Sequence, residues 1–109
     1  MIGRLKASGD TRQDASFEMS DGDRARVIGS LHFTTVSALL AAGEAAINAG
    51  RSVIDLAGVT ASDSAGLALL IEWLSVAKAA GRSLRFENIP SQLQQLARLS
   101  EVEELVVPA

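Results

Sequence analysis

Hydrophobic and polar positions change their period several times along the chain, and each change marks an element. Phe17 and Met19 alternate with Glu18 and Ser20, and beyond Asp21-Gly22-Asp23 the residues Ala25, Val27, Gly29 and Leu31 alternate with Arg24, Arg26, Ile28 and Ser30. Period-two alternation on both sides of an Asp-Gly turn predicts a β-hairpin whose second strand ends near Leu31. The spacing then lengthens. Val36, Leu39, Leu40, Gly43 and Ile47 share one face of a helix reaching about Asn48, with Thr34 or Thr35 as its cap and Gly50 as its stop. Ser52–Leu56 is a short β-rich run that suits a buried parallel strand. A second helix follows from about Ser64 to Ala80, ended by Gly81, and Leu84–Glu87 reads as another strand. Pro90-Ser91 opens a third helix through Leu99, with Leu93, Leu96, Ala97 and Leu99 as its apolar set, while Val102–Val107 suits either a last strand or a helical turn.

The predicted order is β-β-α-β-α-β-α with an optional last strand. Strands alternating with helices at these spacings imply an α/β fold: a mixed, mostly parallel sheet of four to five strands with three to four helices packed against it. Residues 1–14 are polar and rich in small side chains, and are expected to form a flexible tail ahead of one domain over residues 15–109. A chain of 109 residues buries roughly 65% of its unfolded surface, enough for one core and too little for a core plus a large ligand cavity.

Composition narrows the function by exclusion. Aromatic residues make up only 4% of a chain that is 48% hydrophobic, so the core is expected to be aliphatic. Absence of cysteine removes disulfides, thiol catalysis and cysteine-ligated metals, and one histidine, His32, makes a zinc site implausible. No cofactor is expected. The net charge is −3 with scattered Arg and Lys, which is no footprint for nucleic acid. No secretory h-region follows Arg4 and Lys6, and the longest apolar run, Ala65–Ile71, falls far short of the ~20 residues that span a bilayer. The expectation is a cytoplasmic protein that reaches a membrane only through a partner.

Catalytic readings fare poorly. Serine, histidine and aspartate are all present, but Ser64 lies outside any G-x-S-x-G elbow and His32 belongs to a different loop. No glycine-rich turn precedes Lys-Ser/Thr, so a phosphate loop is absent. The informative segment is Val59–Leu67, which joins the buried strand to the second helix. Asp63 or Ser64 can cap that helix, and Ala65 and Gly66 leave its first turn bare enough for another surface to approach. Within the helix, Leu67, Leu70, Ile71 and Leu74 form a core stripe and Leu69, Trp73 and Val76 a second one beside it. Ala68, Glu72, Ser75 and Ala79 form the polar or small side. Trp73 reads either as a core-edge residue or as a half-exposed anchor for a partner.

The strand Ser52–Leu56 followed by Asp63-Ser64-Ala65-Gly66-Leu67 resembles the signature of STAS domains, named for sulfate transporters and anti-sigma-factor antagonists. Gly29-Ser30-Leu31 before a Thr-rich helix start, Ile89-Pro90, and Leu96-Ala97-Arg98-Leu99 resemble further family segments, so the likeness runs from about Phe17 to Val107. It implies the STAS fold and a non-enzymatic, protein-binding role. In the family's phosphoswitch antagonists the serine matching Ser64 is phosphorylated by an anti-sigma kinase, and an acidic residue commonly follows the Gly-x-Leu of the second strand. Here that position is His32. Leu31–Val36, Ser64–Leu70 and Leu96–Ser100 look more like the MlaB-like group, cytoplasmic subunits of an ABC transporter that moves phospholipid between Gram-negative membranes. That resemblance implies an ATPase subunit as partner, and through it a membrane permease. The partner surface is then expected around Thr34, Thr35, Asp63, Ser64, Ala65, Gly66, Ala68, Leu69, Glu72 and Trp73.

Overall fold

The computed structural model describes residues 15–107; the expected tail, residues 1–14, lies outside them. The chain runs β1 (Ala15–Met19), β2 (Arg24–Leu31), α1 (Val36–Asn48), β3 (Val53–Ser62), α2 (Ser64–Ala79), β4 (Arg85–Glu87), α3 (Ser91–Leu99) and α4 (Glu103–Val106). The four strands lie side by side in sequence order. β1 and β2 are antiparallel through the Asp21–Asp23 turn, and β2, β3 and β4 are mutually parallel. The sheet is therefore mixed and mostly parallel, as expected, and Val102–Val107 resolves into a four-residue helix instead of a strand.

Right-handed crossovers that step the same way across the sheet bring α1 and α2 to one face. The register confirms which face that is. Val27 pairs with Phe17, and Ala25, Ile54 and Phe86 stand in one row across β2, β3 and β4. Ala25, Val27, Ile54 and Phe86 are buried with Leu39 and Ile47 of α1 and Leu67, Leu70 and Trp73 of α2. Rows of the opposite parity carry charge: Glu18, Arg26, Asp55 and Glu87 in one, Arg24 and Arg85 in the next. Arg26 pairs with Glu18 at 3.0 Å, and Glu87 takes Arg24 at 2.5 Å and Arg85 at 2.9 Å. Those two guanidinium groups, Arg24 first, hold the Glu87 carboxyl below its ordinary value.

β3 is longer than expected, running to Ser62 instead of Leu56. It gains its length through two bulges: Arg26 pairs with Asp55 but Ile28 with Gly58, and Gly29 pairs with Val59 but Ser30 with Ala61. Each bulge adds one residue to β3, which breaks the two-residue period that marks a strand in sequence. At the first bulge the Ala57 N–H donates to Asp55 Oδ1 at 2.9 Å, and Asn88 Nδ2 donates to the same oxygen at 2.9 Å.

Candidate functional site

Because β2 and β3 are parallel neighbours, the loops that leave their carboxyl ends meet at one edge of the sheet. The Asp63 N–H donates to the Leu31 carbonyl at 3.1 Å, fastening the β3–α2 junction to the end of β2. Asp63 caps α2 as expected, its Oδ1 accepting the Ala65 N–H at 2.8 Å, while its Oδ2 lies 3.8 Å from His32 Nδ1. Sequence separation of 31 residues hid that second contact. Gln92, at the start of α3, accepts the Ser62 N–H at 3.0 Å and ties a third element to the same edge.

Thr35 occupies the cap position of α1 but makes no side-chain cap. Its hydroxyl faces backwards instead, accepting the His32 N–H at 2.9 Å and donating to the Ser30 carbonyl at 2.9 Å. The amides of Thr35 and Val36 both donate to the His32 carbonyl, at 2.9 and 3.1 Å. The His32–Thr35 turn is thus pinned at several points. Thr35 belongs to the loop's scaffold, whereas Thr34 is exposed.

Of the expected contact residues, Thr34, Asp63, Ser64, Ala68 and Glu72 are exposed and Ala65 is half-buried. Ser64, Ala68 and Glu72 recur every four residues and so form one outward stripe along α2. Three others are corrected. Trp73 is 0% exposed, its Nε1 donating to the Leu40 carbonyl at 3.2 Å and its ring meeting Phe17 edge-on at 5.7 Å. Leu69 is 4% exposed in the same core. Gly66 is buried, and its lack of a side chain serves internal packing: a Cβ there would overlap Ser62 Oγ and lie 3.0 Å from Leu31 Cβ. None of the three offers a side chain to a partner. Phe33, an aromatic with no periodic neighbour in the sequence, is 81% exposed at the tip of the pinned turn.

No hydrogen bond among the described residues joins Ser64 to His32, so serine, histidine and aspartate do not form the nucleophile–base–orienter line of a triad. A cleft of about 460 Å³ opens at the free edge of β4 among Arg85, Asn88, Gln94 and Val107, away from the His32–Ser64 edge. No group of three or more potential metal ligands occurs among the described residues, and no helix there is long and apolar enough to cross a membrane.

A hairpin leading into parallel crossovers, with an exposed serine opening α2, makes this a mixed-sheet α/β domain. A model of the family described as Mlab, STAS domain, matches residues 15–108. The chain belongs to that STAS family and is MlaB-like. Among solved structures, the anti-sigma factor antagonist SpoIIAA in its unphosphorylated form shares the fold with a TM-score of 0.65 and 18% identity, over 88% of each chain. The Bacillus cell fate determinant SpoIIAA in the phosphorylated form gives 0.63 and 17% identity, over 88% of this chain and 91% of that one. No curated protein matches by sequence.

Proposed function

We propose that this chain is a non-enzymatic docking subunit that binds the cytoplasmic ATPase of an MlaB-type phospholipid ABC transporter, and stabilises or regulates it in maintaining outer-membrane lipid asymmetry. The observation that carries the reading is the MlaB family match across the whole described domain. The geometry supports the docking part of it. Thr34, Asp63, Ser64, Ala68 and Glu72 face solvent from loops and a helix held by main-chain hydrogen bonds, so a partner meets a preformed surface. The domain works at the cytoplasmic side of the inner membrane through the ATPase and its permease, and no cofactor takes part.

A second reading has its own support. The SpoIIAA structures include a phosphorylated form, and Ser64 is exposed at the first turn of α2. In that reading an anti-sigma kinase phosphorylates Ser64 and thereby switches an antagonist off its partner. Affinity purification of the tagged chain from its native cell separates the two. Co-purification of an ABC ATPase with a multi-pass permease is the expected result, and recovery of a small kinase with phosphate on Ser64 would replace it with the second reading.

A further inference from the structure

Charge on this molecule is segregated. Between Arg26 and Arg51, and again between Arg51 and Lys78, there is no lysine or arginine, whereas Glu44, Asp55, Asp63 and Glu72 fall inside those intervals. The intervals supply the end of β2, α1, β3 and most of α2. Asp55 stands in a charged row of the open sheet face, bonded to Ala57 and Asn88. Among the described residues no lysine or arginine falls on α1 or on α2 before Lys78, whereas Glu44 and Glu72 lie there and Asp63 meets His32 at the carboxyl edge. The cations lie elsewhere. Arg24, Arg26 and Arg85 pair with glutamates on the open sheet face. Arg51 binds the carbonyls of Ser20 and Arg24 at the hairpin turn, and Lys78 and Arg98 sit in the last turns of their helices.

Phe33 follows His32 at this edge and is 81% exposed. Its loop is not a flexible one. The hydrogen bonds of Thr35 Oγ1 and of the His32 carbonyl fix the backbone on both sides of it, and Asp63 secures the preceding strand end. Docking this ring therefore costs little further ordering, and aromatic side chains are enriched where protein interfaces are driest. Resting on the docking role proposed above, we infer that Phe33 is the apolar anchor of the interface, and that the partner is a protein surface with an aromatic-accepting pocket inside a basic rim. Asp63 at the same edge, with Glu72 further along a stretch of α2 that has no cation before Lys78, repels anionic lipid and nucleic acid and attracts such a rim.

The test is equilibrium binding of the purified ATPase to the full chain at rising NaCl. Affinity should fall as salt rises, Phe33→Ala should weaken binding about tenfold or more with an unchanged melting temperature, and Glu72→Gln should flatten the salt dependence. If the ATPase binds wild type but Phe33→Ala binds equally, or if salt has no effect, the anchor inference fails while the docking role stands. If the ATPase does not bind wild type, that role fails, and a photo-reactive benzoylphenylalanine replacing Phe33 in the native cell decides the anchor. Crosslinks mapping to an apolar, Lys/Arg-flanked peptide of one protein sustain it. Adducts no different from those at Arg26, on the opposite face, overturn it.

Discussion

Trp73 lies under α1 because position 43 is glycine: a Cβ at Gly43 would overlap the indole. Gly43→Ala should therefore cost ~1–3 kcal/mol through overpacking, and Trp73→Ala ~3–5 kcal/mol through the cavity left beside Phe17 and Phe86. Urea denaturation of both variants checks the pair. A Trp73→Ala change that left stability untouched while abolishing binding would restore Trp73 as a surface anchor. Sequence could not choose between those roles, since an indole suits a core and an interface equally. The choice was made by a glycine thirty residues upstream, whose partner is visible only in three dimensions. Asp63, by contrast, was legible as a cap from its position before a helix start, and Phe33 was missed because an isolated aromatic in a short loop carries no period.

At the scale of elements, α2 shows why periodicity placed the helix but not its rotation. Apolar residues cover so wide an arc that two stripes fit equally well. The expected core stripe holds for Leu67 and Leu70, yet Ile71 and Leu74 are only half-buried, while Leu69, Trp73 and Ala77 point fully inward. The outward side was legible, because Ala68, Glu72 and Ser75 are all exposed. Leu70→Ala should cost ~2–5 kcal/mol, whereas Ala68→Glu should melt like wild type and bind its partner more weakly. Thermal melts paired with pull-downs distinguish these outcomes, and an unfolded Ala68→Glu would show the helix rotation to be wrong. The second half of β3 carries no strand period for a related reason. Ala57, Gly58 and Ala61 have low strand preference, and their strand state comes from pairing across two bulges with β2.

Over the whole molecule, two carboxylates, Glu87 on the open sheet face and Asp23 in the hairpin turn, are held in their ionised form. Arg24 and Arg85 lower the Glu87 value, and the Ser52 hydroxyl, 2.6 Å away, lowers that of Asp23. A carboxyl whose value is lower folded than unfolded stabilises the fold fully above its unfolded value and loses that contribution as pH falls through the folded one. The unfolded values are 4.5 for glutamate and 3.8 for aspartate, so stability should be flat near neutrality and decline below about pH 4.5. Glu87→Gln should be less stable at neutral pH and shallower in its acid decline, which chemical denaturation across pH 2–7 would reveal. Parallel acid limbs for the two proteins would remove the Arg24–Glu87–Arg85 network from the account. The architecture as a whole was legible because hairpin turn, helix stops and strand runs all pointed to one α/β order, while the facing of loops at a shared edge had to come from the fold.

The proposed protein-binding surface is the carboxyl edge of β2 and β3 with the first turns of α2. Ser64→Glu tests it most directly. A negative charge at an exposed helix N-terminus is worth about 0.3–1 kcal/mol in favour of the fold. In the contact, inside the partner's basic rim, the same charge is desolvated and the longer side chain overpacks a surface fitted to serine, which costs more than that gain. The dissociation constant for the ATPase, measured beside the melting temperature, should rise sharply in Ser64→Glu and barely move in Ser64→Ala, with both variants folded. Wild-type affinity in Ser64→Glu would contradict the account and move the interface to another face of the domain.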